Sequence, residues 1–167
     1  QFEGLKSFVK QTNDCCWTLD NPESTVRLGS TLTKKFPDLS ILLLNGPLGA
    51  GKTTLVKGIG KSLGIREPIT SPTFPLSQHY LTGSQPLIHI DLYRIDEQKA
   101  ANEFFLQEEE EAKAVGGLIV VEWPNRLSIS MSDAWRGTLE YSSDSKARLF
   151  QLIPPLDKDN SFSRSAL

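Results

Sequence analysis

Gly46-Pro47-Leu48-Gly49-Ala50-Gly51-Lys52-Thr53 fits the spacing G-x-x-x-x-G-K-[ST], which suits one task, the cradling of a polyphosphate. In such a loop, backbone N–H groups surround the anion, and glycines let the main chain come close to it. Lys52 can then reach the β- and γ-phosphates, and the Thr53 hydroxyl can take a place on Mg²⁺. The flanks support this, because the apolar run Ile41-Leu42-Leu43-Leu44 precedes the loop and a helix-like stretch from Thr54 to Leu63 follows it. A buried strand, a glycine turn and a helix N-terminus together aim positive dipole ends at one point. The chain is therefore expected to bind a nucleoside triphosphate.

Two further apolar runs end in an acid: Leu87-Ile88-His89-Ile90-Asp91 and Leu118-Ile119-Val120-Val121-Glu122. In a parallel sheet these C-terminal strand ends share an edge with the phosphate loop. A carboxylate there holds Mg²⁺ directly or through water, or orients the attacking water. Asp91, Glu122 and Lys52 are thus the expected catalytic residues. The loop Thr70-Ser71-Pro72-Thr73 suits a switch that senses the γ-phosphate, and Arg94 stands close enough in sequence to pair with Asp91 or reach phosphate. His79 and His89, in strands with no ligand set nearby, read as structural. Trp123 reads as a packing residue or partner contact, and the acids at 108–111 as one solvated helix face.

The elements that must position these groups follow from periodicity and punctuation. Cys15 to Leu19 reads as a short strand, and Asp20-Asn21-Pro22 as a helix start. Leu28, Leu32 and Phe36 then recur on one helical face. Proline-punctuated backbone between 65 and 75 cannot be helix. Strands are expected at 76–81 and 87–91, an acidic helix over 96–114 closed by Gly116-Gly117, and a fully buried strand at 118–122. Segments 135–141 and 147–153 read as an antiparallel edge. Residues 1–13 and 155–167 are expected to be flexible, and the 167-residue chain to form one α/β domain. Its sheet should be P-loop NTPase-like: mostly parallel, with flanking helices and antiparallel late strands.

A net charge of −2 gives no basic surplus for gripping nucleic acid directly. No apolar stretch is long enough for a membrane span, and residues 1–13 lack the core of a secretion signal. Gln1, in place of an initiator Met, suggests a trimmed or incomplete product. Adjacent Cys15 and Cys16 suit neither a mutual disulfide nor a metal spacing, so a reducing, cytoplasmic setting is expected.

Four motifs, in order, resemble the TsaE (YjeE) family: Gly46 to Thr54, Ser71-Pro72-Thr73-Phe74, His89-Ile90-Asp91-Leu92-Tyr93-Arg94 and Val121-Glu122-Trp123-Pro124. The resemblance spans roughly residues 17 to 153. It implies a small P-loop ATPase needed for N6-threonylcarbamoyladenosine at position 37 of tRNA. Such a protein works with a TsaB–TsaD pair and meets tRNA only indirectly. It also implies ATP held by Gly46, Gly49, Ala50, Gly51, Lys52, Thr53 and Thr54, with Thr73 in the switch loop. Thr53 and Glu122 would be Mg²⁺ ligands, Asp91 a catalytic or metal-proximal acid, and Thr25 and Arg148 base contacts. The sequence departs from the family where Phe104-Phe105-Leu106 replaces a glycine, and where segment 126–134 lacks a proline. The alternative from the residues alone is a small-molecule or nucleoside kinase. No arginine cluster of the kind that closes a kinase lid follows the second strand, and no N-K-x-D motif marks a GTPase.

Overall fold

Alternating apolar residues on three neighbouring strands give this protein two separate core layers, one on each side of a sheet. The computed structural model describes residues 9–13, 15–72 and 76–155. In chain order the elements are β1 (Val9–Asn13), β2 (Cys16–Leu19), α1 (Pro22–Lys35), β3 (Ile41–Asn45) and α2 (Lys52–Ser62). Then come β4 (Ser77–Tyr80), β5 (Leu87–Asp91), α3 (Gln98–Val115), β6 (Leu118–Glu122), a 3₁₀ turn at Pro124–Arg126, β7 (Trp135–Tyr141) and β8 (Arg148–Ile153).

The described strands form one sheet in the order β1-β2-β8-β7-β3-β6-β5-β4. Its centre is parallel: β3 pairs with β6 and β7, and β6 also pairs with β5. Strands β4, β8, β2 and β1 extend this centre by antiparallel pairing. One layer packs Leu42, Leu44, Leu87, Leu118 and Val120 against Leu28 and Leu32 of α1 and Leu55, Val56 and Ile59 of α2. The other packs Ile41, Leu43, Ile88, Ile90, Ile119 and Val121 against Phe105 and Ala112 of α3. This is the alternation expected of strands buried on both faces.

Local signals set the helix ends. The Asn21 side chain accepts the Ser24 N–H at 2.8 Å, and Pro22 occupies the first turn of α1, where its missing N–H leaves no donor unpaired. Helices α1 and α2 cross where both lack side chains: a Cβ at Gly58 would stand 2.0 Å from the Val26 carbonyl oxygen, and one at Gly29 2.3 Å from that of Leu55. No helix is long and apolar enough to cross a membrane among the described residues.

Three expectations are corrected. Residues 135–141 and 148–153 are interior strands rather than a sheet edge, because β2 pairs with β8 and β1 with β2. Residues 9–13 are strand rather than loose leader, while residues 1–8 and 156–167 lie outside the described residues, as does Thr73. The acids at 108–111 are not one solvated face. Glu108 is buried, and its carboxylate meets His79 Nε2 at 2.5 Å.

Candidate active site

Between β3 and α2 the phosphate loop turns through Gly51, whose φ of 103° lies in the left-handed region that a side chain disfavours. That turn starts α2 with Lys52 and leaves the first amides of the helix facing the loop. Lys52 is buried, and its Nζ donates to the carbonyl oxygens of Gly46 and, at 3.3 Å, of Pro47. The ammonium also stands 4.1 Å from the centre of the Trp123 ring. Burial lowers the Lys52 pKa from the ordinary lysine range, and the negative charges of Glu122 and Asp91 oppose that shift.

The two acids arrive together because β5 and β6 run parallel with Asp91 in register with Glu122. Both line one cavity of about 370 Å³ with Gly49, Ala50, Gly51, Lys52, Thr53 and Thr54. Ser71, Arg94 and Trp123 line it too. Thr53 Oγ1 donates to Glu122 Oε2 at 3.2 Å. Asp91 accepts from Ser71 Oγ at 3.0 Å and from the Tyr93 backbone N–H at 2.9 Å, so the switch-like loop is tied to this acid. A threonine hydroxyl and carboxylate oxygens beside an anion cradle form a hard-oxygen set, which fits Mg²⁺.

Two residues matter more than their sequence suggested. His89, wholly buried, brings Nε2 to 2.5 Å from Glu122 Oε2, so it is engaged with the site rather than merely packed. Trp123 lies over the loop lysine with a left-handed backbone, φ 58° and ψ 49°, rare for a bulky residue. A signal for His89 was present, since Leu87, His89 and Asp91 alternate onto one face. Its partner, however, depends on the register between β5 and β6.

On the other side of the loop, Thr25 and Arg148 line a second cavity of about 220 Å³ with Asn21, Gly49, Gly51 and Thr54. The Arg148 guanidinium lies 4.1 Å from the centre of the Tyr141 ring, and the Tyr141 hydroxyl donates to the Leu48 carbonyl at 3.1 Å. Two residues 123 positions apart thus flank one stretch of loop.

The family model described as threonylcarbamoyl adenosine biosynthesis protein TsaE matches residues 19–149. The chain belongs to the TsaE family. The tRNA threonylcarbamoyladenosine biosynthesis protein TsaE of a Nostoc species is 40% identical over 136 residues, covering 81% of this chain and 83% of its own. The Bacillus subtilis protein of the same name is 36% identical over 114 residues, covering 66% of this chain and 67% of its own. The crystal structure of Bacillus subtilis YdiB matches the fold with a TM-score of 0.67 at 27% identity, covering 96% of this chain and 99% of that one. The TsaE match takes in both cavities: the loop, Thr25, Asp91, Glu122, Trp123 and Arg148 all fall within it.

Proposed function

We propose that this TsaE-family chain binds and hydrolyses Mg·ATP to support N6-threonylcarbamoyladenosine formation at position 37 of tRNA, in the cytoplasm, acting with a TsaB–TsaD-like pair. The observation that carries this reading is the convergence of Lys52, Thr53, Asp91 and Glu122 on one cavity beside the loop. Lys52 supplies the positive charge for the β- and γ-phosphates, and the loop amides of Gly49 to Thr54 supply N–H donors. Thr53 and Glu122 would hold Mg²⁺, which when bound neutralises charge developing on the phosphates. Asp91, which accepts from Ser71 Oγ and the Tyr93 N–H, would orient water or a metal-bound water. Thr25 and Arg148 give the second cavity the polar lining a purine base would meet, and Tyr141 ties that wall to the loop. With a net charge of −2, the protein would reach tRNA through its partners rather than by its own surface.

Calorimetric titration with Mg·ATP, followed by hydrolysis assays with and without the pair, tests the reading. Binding should be seen, and turnover should rise when the pair is added. Lys52→Ala should abolish both. Unchanged affinity and turnover in that variant would remove the site assignment, and turnover driven by a small phosphate acceptor would favour the kinase alternative.

A further inference from the structure

We propose that His89 is the positioning residue that fixes the Glu122 carboxylate for its work on Mg²⁺ and water. This rests on the hydrolysis reading above and assigns, within it, the group that holds the acid in place.

Glu122 is buried and, among the described residues, its side-chain hydrogen bonds fall on Oε2: one from His89 Nε2 at 2.5 Å, one from Thr53 Oγ1 at 3.2 Å. Oε1 is thereby the oxygen available to the cavity that Glu122 lines. The two donors differ in permanence. Thr53 lines the cavity itself, so its hydroxyl is available to a bound cation and can leave the carboxylate. His89 is wholly enclosed and lines no cavity wall there, so it acts on a ligand only through Glu122. A buried acid needs a lasting donor to keep one geometry, and His89 is that donor.

The rest of the imidazole agrees. His89 stands on the otherwise apolar face that carries Leu87 and, on the next strand, Val120. Nδ1 is buried and, among the described residues, has no hydrogen-bond partner. A proton there would be an unpaired buried donor, so the ring carries it on Nε2 and gives it to Glu122. An apolar side chain would suit these neighbours without leaving a ring nitrogen unpaired, so the polar group is explained by the acid it holds rather than by the core.

The test uses His89→Leu, which fills the layer without a donor, and His89→Gln, whose side-chain amide can offer an N–H near the same place. For His89→Leu, ATP affinity measured in EDTA should stay within about twofold of wild type. The Mg²⁺ concentration that half-saturates nucleotide binding should rise about 10- to 100-fold, with kcat falling by a similar factor and KM little moved. His89→Gln should recover most of the Mg²⁺ response. In the nucleotide-free protein, ¹⁵N NMR of the imidazole should show Nε2–H; with two histidines in the chain, the signals are readily assigned. Should His89→Leu fail to fold, His89→Gln and the tautomer decide, and a ring that carries its proton on Nδ1 with Nε2 bare overturns the proposal. A folded His89→Leu with wild-type Mg²⁺ response and kcat, beside an inactive Glu122→Gln, overturns it while the hydrolysis reading stands. Wild-type protein that neither binds nor hydrolyses Mg·ATP removes that reading itself.

Discussion

The same three strands, β3, β5 and β6, present two different faces. Under α3 the face is Ile41, Leu43, Ile88, Ile90, Ile119 and Val121, apolar throughout. Under α1 and α2 the intervening residues begin as Leu42, Leu44, Leu87, Leu118 and Val120, then give way to His89, Asp91 and Glu122 toward the loop. One face is built only to exclude water. The other gives up apolar packing at one end to hold charge, the pattern expected where a fold departs from its own rules for the sake of chemistry.

Substitutions on the two faces should therefore fail differently. The largest expected loss of stability is on the apolar side: Phe105→Ala should cost about 3–5 kcal/mol in urea unfolding, while ATP turnover per folded molecule stays near wild type. Equal loss of turnover would mean the faces are coupled. A smaller effect is expected at Trp123, whose left-handed backbone penalises any residue with a Cβ. Both Trp123→Gly and Trp123→Ala lose the ring over Lys52, but the glycine variant should be the more stable by about 1 kcal/mol. Equal stability would show that the turn carries no strain.

The smallest effect is a dependence on pH. Burial lowers the Lys52 pKa, so the folded state binds this proton less tightly than the unfolded chain. A protonated Lys52 then costs stability below its lowered pKa, and the cost is relieved as pH climbs from there toward the ordinary lysine value. Lys52→Met should be at least as stable as wild type in urea at neutral pH, and its advantage should shrink at strongly alkaline pH. An advantage that grows with pH would contradict the assignment.

What the sequence revealed was local. The phosphate loop is one contiguous run whose spacing and flanks carry their own physics, and the acids were visible as the last residues of apolar runs. Thr25 and Arg148 were suggested by resemblance; one comes from α1 and the other from β8, and both line the second cavity beside the loop. What stayed hidden depended on strand neighbours. His89 looked structural because its partner lies 33 positions away, across a pairing that period-two alternation does not choose. The late strands looked like an edge because nothing within 135–153 says that β2 will pair with β8. Glu108 looked solvated because its histidine comes from β4. Trp123 does pack, against the α3-side layer and the Tyr93 ring; its place over Lys52 and its backbone twist were not legible, because they are matters of geometry and not of residue type.

The bare crossing of α1 and α2 has a consequence for how much this molecule can vary. Where two helices touch through main chain at Gly29 and Gly58, no rotamer is available to absorb a change. The floor beneath the loop is therefore set at a height that neighbouring repacking cannot adjust. Even an added methyl group there would lift α2 bodily and carry Lys52 and Thr53 out of line with the acids across the cavity.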